Sequence, residues 1–215
     1  MLGGFIRHLL GARKDAIDGQ WLAATIALHK QGAYADVVSR CESALARSPD
    51  DAPVLNLLAS ALLAQGKARE GIARLARATA LAPSAQAHSQ LGSVLARIGD
   101  FDDAIAHYRA ALDISHEFVE AWSTLGALYK ALGRYDEAEE CCLKACGLAP
   151  RDAAIRHVLA TVYFEQARVD EAIAAVRQSL ALDPDDPPAH STLLDRKSTR
   201  LNSSHIPLSR MPSSA

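Results

Sequence analysis

The sequence is poor in aromatic residues and in cysteine. Aromatic residues make up 5% of the 215-residue chain, and only four cysteines are present. Cys141, Cys142 and Cys146 lie close together, but no C-x2-C pair and no histidine at a zinc-like spacing accompanies them. We therefore expect no metal site and no cofactor. Cys41 and Cys142 are interpreted as buried free thiols that act as small hydrophobic residues.

Long apolar runs and an excess of positive charge are also missing. No run approaches the roughly 20 apolar residues that a membrane-spanning helix needs. The opening MLGGFIRHLLGARKDA lacks the order of regions that a secretion signal requires, so a cytoplasmic location is the default expectation. The net charge is −2, and no basic stripe is present. The sequence therefore offers no electrostatic case for nucleic-acid binding.

Motifs of catalysis and nucleotide binding are absent as well. Gly66-Lys67 is followed by Ala68 and lacks the upstream glycine of a phosphate-binding loop. There is no G-x-G-x-x-G, G-x-S-x-G or H-E-x-x-H. Acidic pairs such as Asp102-Asp103 recur at one position of a repeat, where they favour the helix dipole, and the eight histidines are scattered. The sequence predicts that this chain is not an enzyme.

What the chain does have is a 34-residue pattern that recurs, clearest in residues 119–152. That copy contains Trp122, Leu125, Gly126, Tyr129, Ala138, Cys142, Ala145 and Pro150. The Trp, Leu and Tyr fall on one face of a first helix. Gly126 and Ala138 are small where two helices must cross closely. Gly133 is expected to end the first helix, and Pro150 the second.

This pattern resembles the tetratricopeptide repeat, a helix–turn–helix unit with the signature W-x2-L-G-x2-Y, then A-x3-F, then P. Cys142 takes the place of the usual Phe. One such unit cannot bury its own apolar face, so copies must stack on one another. The resemblance implies an all-α fold, an α-solenoid of stacked helix–turn–helix units in a right-handed superhelix.

Five copies follow one another in phase. Their turn residues, Gly32, Gly66, Gly99, Gly133 and Ala167, recur every 33 or 34 residues. The predicted repeats span 18–51, 52–84, 85–118, 119–152 and 153–186. Residues 1–17 are predicted to form an N-terminal capping helix, and residues 187–194 to begin a further helix. Gly71 lies inside a second helix and is expected to weaken it by up to about 1 kcal/mol relative to alanine.

Residues 195–215 do not resemble the repeats. DRKSTRLNSSH, Asp195 to His205, matches the in-frame translation of a short-read sequencing adaptor, and SRMPSSA at the end fits its downstream part. We interpret this segment as a disordered, artefactual tail; the alternative is a natural Ser/Pro-rich linker. On the first interpretation the genuine chain is truncated near Leu194. The last second helix would then expose Ile173, Val176 and Leu180, which favours self-association through that end.

The resemblance also implies a function. In tetratricopeptide repeat proteins the first helices line a concave groove that binds a protein or a peptide. The groove residues predicted here are Asn56, Ser60, Ser89, Gln90, Ser93, Arg97, Ser123, Thr124, Lys130, His157, Thr161 and Glu165. Such short polar side chains can hydrogen-bond an extended peptide, so we predict a protein-interaction scaffold. The alternative for any one of them is a merely solvated surface.

A second hypothesis comes from residues 180–194, LALDPDDPPAHSTLL. This segment resembles the junction between the repeats and the glycosyltransferase domain in SPINDLY-type O-GlcNAc transferase-like proteins, where an H-S-N-L-L-like sequence occurs. His190, Ser191, Leu193 and Leu194 match it, and Thr192 stands in place of Asn. The resemblance implies the truncated substrate-recognition arm of a glycosyltransferase.

Overall fold

The computed structural model describes residues 19–192, which form ten α-helices and no β-strand. The helices are α1 (Gly19–Lys30), α2 (Tyr34–Leu45), α3 (Ala52–Ala64), α4 (Ala68–Leu81), α5 (Ala85–Arg97), α6 (Phe101–Ile114), α7 (Val119–Ala131), α8 (Tyr135–Leu148), α9 (Ala153–Glu165) and α10 (Val169–Leu182). Helical residues follow again at 187–192. The predicted all-α fold is confirmed. The predicted capping helix at 1–17 and the tail at 195–215 lie outside the described residues.

The described residues fall into two compact units. The first unit, residues 19–114, contains α1–α6, and the second unit, residues 115–192, contains α7–α10 and the helical residues 187–192. In both units consecutive helices pack as helix–turn–helix hairpins. We call the odd-numbered helices first helices and the even-numbered ones second helices. Neighbouring hairpins pack together through α2 and α3, α4 and α5, and α8 and α9.

Side-chain caps explain where three of the first helices begin. Asp51, Ser84 and Asp152 each stand just before a first helix and accept a hydrogen bond of 3.1 Å from the backbone N–H three residues later. Such a bond satisfies one of the four N–H groups that a helix leaves unpaired at its N-terminus. The helix starts are therefore specified by local sequence.

A residue in the left-handed region follows each first helix. Gly133 has φ +74°, and Arg134 N donates to Tyr129 O at 2.9 Å, which closes the end of α7. Ala167 adopts φ +60° at the same position after α9. Glycine reaches this region without a steric penalty, whereas alanine does not. The predicted turn position is confirmed, and Ala167 carries backbone strain there.

Glycines also allow first and second helices to approach closely. A Cβ added to Gly126 would lie 2.9 Å from the Cys142 sulfur, which confirms the expected tight crossing. A Cβ at Gly71 would lie 2.7 Å from Cγ of Leu63 and 3.2 Å from the carbonyl oxygen of Ala59. The expectation that Gly71 only weakens its helix is therefore incomplete, because alanine would clash with α3.

Two cysteines belong to the core, as interpreted from the sequence. Cys41 and Cys142 are both fully buried. Burial raises the pKa of Cys41 to about 11 and that of Cys142 to about 12, so both thiols stay protonated at neutral pH. Within residues 19–192 no three His, Cys, Asp or Glu side chains are grouped as metal ligands.

The end of α10 is better covered than the sequence predicts. Val176 has no exposed surface and packs in one cluster with Ala189, which is also fully buried. The expectation that Val176 is exposed is wrong, because the helical residues from 187 onward lie against α10. Ile173 and Leu180 are half-buried at the edge of the same cluster. No helix in residues 19–192 has the length and apolar character to cross a membrane.

Candidate functional site

The twelve predicted groove residues all lie on first helices, α3 and α5 in the first unit and α7 and α9 in the second. Four of them are exposed: Gln90, Ser93, Arg97 and Glu165. Seven are half-buried: Asn56, Ser60, Ser123, Thr124, Lys130, His157 and Thr161. We call the members in each unit, Ser89 apart, the polar face of that unit.

Ser89 departs from the expectation. Its side chain is 1% exposed, so it does not present its hydroxyl to solvent. Ser89 lies one turn before buried Gly92, and residues three apart share a face of a helix. The groove positions were counted along the repeat from the position of Trp122, which we call the Trp column, and for Ser89 this predicted the correct helix but the wrong orientation. The other members of the Trp column are Trp21, Leu55, His88, Arg156 and His190.

In the first unit, side chains of the polar face bond between neighbouring first helices. The Ser60 hydroxyl oxygen lies 2.8 Å from Nε2 of His29, which joins α3 to α1. Asn56 Nδ2 donates to Gln90 Oε1 at 3.5 Å, which joins α3 to α5 at the outer limit of a hydrogen bond. The first contact is short and the second is easily opened.

The second unit also has two bonds between first helices, but different side chains form them. Lys130 Nζ donates to the Thr161 hydroxyl at 3.2 Å, between α7 and α9. The hydroxyl oxygen of Thr192 lies 3.0 Å from Nε2 of His157, which joins α9 to the helical residues 187–192.

These bonds occupy matching repeat positions. His29 and Lys130 both stand eight residues after the Trp column, at Trp21 and Trp122. The sequence prediction missed His29 and Thr192 as members of the polar faces. The same repeat spacing, applied to the first and last copies, would have found both.

A cavity of about 250 Å³ opens between α3, α4 and α5 of the first unit. Asn56 and Gln90 both line it. Its other lining residues are Ala52, Pro53, Leu75, Ala78, Thr79, Ala82, Ser84, Gln86 and Ala87. The cavity therefore combines amide side chains, which can donate and accept hydrogen bonds, with small apolar groups.

Arginines after the turns of the second unit stack on tyrosines. The Arg134 guanidinium carbon lies 4.5 Å from the ring centroid of Tyr129, and that of Arg168 lies 4.4 Å from the Tyr163 ring. Arg134 also pairs with Glu137 at 2.5 Å. These are cation–π contacts combined with an ion pair between residues three apart.

Arg168 takes part in a larger charge network. It pairs with Glu171 at 2.6 Å and reaches back to Glu139 of the preceding hairpin at 2.6 Å. The hydrogen bond from Arg168 lowers the pKa of Glu171. Glu137 and Glu171 of the recurring acidic pairs thus also form ion pairs, which the sequence interpretation as helix-dipole partners did not include.

The Trp column of the second unit supplies hydrogen-bond donors. Trp122 Nε1 donates to His116 O at 2.8 Å, and Arg156 Nη2 donates to Pro150 O at 2.6 Å. His190 Nε2 bonds to Pro184 O at 2.7 Å. Each donor binds the backbone carbonyl six residues before it, so Trp, Arg and His side chains make the same hydrogen bond in successive repeats. Trp122 itself is half-buried, less buried than the motif implies.

The histidines that appear scattered in the sequence are not all apart in the fold. His88 on α5 and His107 on α6 bring their Nδ1 atoms to 3.0 Å. The ring centroids lie 5.2 Å apart, with an interplanar angle of 34°. Burial, and to a lesser extent the charge of His88, lower the pKa of His107. The two imidazole rings therefore join α5 to α6 directly.

Comparison with known proteins identifies the repeats. Two tetratricopeptide repeat family profiles match residues 56–116 and 117–185. The chain is 28% identical over 107 residues to the TPR repeat-containing thioredoxin TTL4 of Arabidopsis thaliana, covering 49% of this chain and 16% of that protein. It is 33% identical over 85 residues to the BBSome complex member bbs-4 of Caenorhabditis elegans, covering 39% of this chain and 18% of that protein. The chain thus spans less than a fifth of either relative.

Solved structures share the fold. MamA superposes with a TM-score of 0.70 at 21% identity, covering 76% of this chain and 90% of that chain. YrrB, a TPR protein with an unusual peptide-binding site, superposes with a TM-score of 0.72 at 14% identity, covering 86% and 96%. At such low identities these structures establish the α-solenoid fold rather than a function.

Proposed function

We propose that this chain, which belongs to the tetratricopeptide repeat family, is a protein-interaction scaffold that binds a peptide or a partner protein on the polar faces of its first helices. The observation that carries the proposal is the Asn56–Gln90 contact beside the first-unit cavity. At 3.5 Å this hydrogen bond is weak, so both amides are free to turn toward a ligand.

The polar faces suit an extended peptide because they offer both donors and acceptors. A side-chain amide has two N–H donors and a carbonyl acceptor, and a lysine ammonium has three donors. The Asn56–Gln90 and Lys130–Thr161 bonds each use one donor of such a group and leave its other hydrogen-bonding groups for a ligand. A peptide backbone presents alternating N–H and C=O groups, which the amides of Asn56 and Gln90 can satisfy. The fold shared with YrrB, a TPR protein with an unusual peptide-binding site, supports the same reading.

A display library of random dodecapeptides, selected on the purified chain, tests the proposal. Selected peptides would be labelled, and their dissociation constants measured by fluorescence anisotropy. We expect Gln90→Ala or Lys130→Ala to weaken binding, depending on the unit that a peptide contacts. Lys144→Ala is the matched control, since Lys144 is exposed on second helix α8. Peptides that lose affinity only with Lys144→Ala, or selection that yields no binder, would refute the proposal.

The glycosyltransferase resemblance gives a second candidate, namely a substrate-recognition arm. One observation favours it: residues 187–192 pack as a further first helix, with Ala189 buried and Thr192 bonded to His157. That is the arrangement expected where repeats lead into the H-S-N-L-L-like junction. Sequencing the source DNA beyond codon 194 decides the matter. An in-phase glycosyltransferase reading frame would support this candidate, and any other continuation would remove it.

A further inference from the structure

His88 and His107 are potential metal ligands on two different helices, and their Nδ1 atoms lie 3.0 Å apart. His88 lies in the first turn of α5, and His107 lies near the middle of α6. Both side chains are half-buried, so solvent reaches the pair. We propose that these two histidines bind one divalent transition-metal ion, Cu²⁺ or Ni²⁺, through their Nδ1 atoms.

The two nitrogens lie close enough for one metal ion to bind both. With a metal about 2.0–2.1 Å from each nitrogen, the observed Nδ1–Nδ1 distance of 3.0 Å subtends roughly 90° at the metal. This is the angle between adjacent ligands in square-planar and octahedral complexes. A tetrahedral site, which Zn²⁺ prefers, would need a nitrogen–nitrogen separation of roughly 3.4 Å. Rotation of the two rings can change this separation, so the choice of Cu²⁺ rests on its place at the head of the Irving–Williams order; imidazole suits Ni²⁺ as well.

Metal binding requires a change of tautomer in the pair. In the present hydrogen bond one Nδ1 carries a proton and the other accepts it. Ligation through both Nδ1 atoms requires that proton to move to Nε2 of the same ring, a change of tautomer that releases no net proton. A ring rotation must accompany it, since the two nitrogens now point at each other.

Local charge favours a cation at this position. Asp103 stands one turn before His107 on α6, in an exposed position, and its charge acts on the His107 ring. No third His, Cys, Asp or Glu side chain of residues 19–192 completes a three-ligand group. Water would fill the remaining coordination positions, so the metal should exchange freely and be removed by a chelator. Because α5 and α6 form one hairpin, a metal held between them would stabilise that hairpin.

Continuous-wave electron paramagnetic resonance with Cu²⁺, together with thermal melts in Ni²⁺, tests the site. The proteins compared are the wild type, His88→Asn, His107→Gln, and the control His116→Asn, whose side chain is exposed. In the wild type we expect a Cu²⁺ species with two imidazole nitrogens and a rise in Tm on adding Ni²⁺. Each single variant should lose both signals and bind at least about tenfold more weakly, since even outer-shell changes weaken metal sites 10–100-fold. His116→Asn should behave as the wild type.

Other histidines of the chain can bind copper weakly, so the double variant His88→Asn/His107→Gln measures that background. Circular dichroism checks that each variant is folded; should His88→Asn lose structure, His107→Gln carries the test alone. Unchanged Cu²⁺ spectra and Ni²⁺ shifts in the variants would overturn the proposal. Tighter binding of Zn²⁺ than of Cu²⁺ at this pair would contradict the choice of metal. Neither result bears on peptide binding, which is measured without metal.

Discussion

The first unit and the second unit build the same hairpins but secure their turns with different side chains. In the second unit, Tyr129 and Tyr163 lie beneath Arg134 and Arg168, and ion pairs to glutamates extend each contact. At the matching tyrosine positions of the first unit stand Leu62 and Leu95, which are 3% and 6% exposed. Lys67 and Asp100 follow them at the arginine positions. The first unit therefore relies on apolar packing where the second adds charge.

The Trp column shows the same contrast. In the second unit Trp122, Arg156 and His190 all donate to the carbonyl six residues earlier. In the first unit Leu55 has no side-chain donor, and His88 bonds to His107 instead. The repeat thus specifies the position of this side chain on the helix, while its size and polar chemistry vary between copies.

The largest loss of stability is expected from replacing the buried tyrosine of the second unit. Tyr129 is 2% exposed, and Tyr129→Ala removes both its packing and the ring beneath Arg134. We expect a loss of about 3–5 kcal/mol in the free energy of unfolding by urea. Leu95→Ala, at the same position of the first unit, should cost about 2–5 kcal/mol, with less dependence on salt. A loss below about 1 kcal/mol for Tyr129→Ala would contradict the packing described here.

Trp122→Ala should have a smaller effect than a fully buried tryptophan would. Because Trp122 is half-buried, we expect about 3 kcal/mol, the lower end of the range for large aromatic residues. Trp122→Phe keeps most of the packing but removes the bond from Nε1 to His116 O, and should cost about 1 kcal/mol. Equal losses in the two variants would show that packing contributes little.

Ala167 distinguishes two turns within the second unit. Ala167→Gly should raise the free energy of unfolding by up to about 1 kcal/mol, because glycine relieves the strain at φ +60°. Gly133→Ala should lower it by about the same amount, since it introduces that strain after α7. Denaturant titration measures the free energy of unfolding of both variants. A destabilised Ala167→Gly would mean that backbone entropy outweighs strain at this turn.

Acid should weaken the first unit through its histidine pair. The lowered pKa of folded His107 means that the unfolded chain binds protons more readily. The contribution of neutral His107 to the free energy of unfolding is therefore fully present above pH 6.5. It is lost as the pH falls from there through the lowered pKa of the folded state. Hydrogen exchange of peptides from residues 85–114, at pH 7 and pH 5 and corrected for intrinsic rates, should show reduced protection at pH 5. In His107→Gln, the part of this loss of protection that comes from protonation of His107 should be absent.

The smallest effect is expected from the exposed charges of the second unit. Arg168→Ala breaks the ion pairs to Glu171, whose side chain is 52% exposed, and to Glu139, whose side chain is 19% exposed. Surface pairs are weak and screened by salt. We expect a slight fall in Tm at low ionic strength that disappears in about 1 M NaCl, where the screening length is short. A fall that persists at high salt would indicate that stacking on Tyr163 matters more than the charges.

The helices themselves could be predicted because their signals are local. Gly133 and Pro150 mark the ends of helices, and the apolar spacing of Trp122, Leu125 and Tyr129 marks the face that packs. Each signal acts within a turn or two of the chain. Ala167 was placed in the correct turn by spacing alone, although its strained φ needed the structure.

The candidate site was predicted less fully, because it depends on contacts between helices. Spacing placed Lys130 and Thr161 on one side of their helices but did not show that they bond to each other. It assigned Ser89 to the surface, but Ser89 lies on the face of α5 that carries buried Gly92 and is itself buried. His88 and His107 are 19 residues apart, and no local pattern connects them.

By itself the sequence determined the class of fold, the length of the repeat and the position of each turn. These follow from helical periodicity and from the steric limits of glycine and proline, which operate over a few residues. Only the tertiary structure decided which polar groups meet: His29 with Ser60, His157 with Thr192, and the paired imidazoles between α5 and α6. The reason is physical, since a hydrogen bond between helices depends on their rotation and register to within a fraction of an ångström, and packing alone sets both.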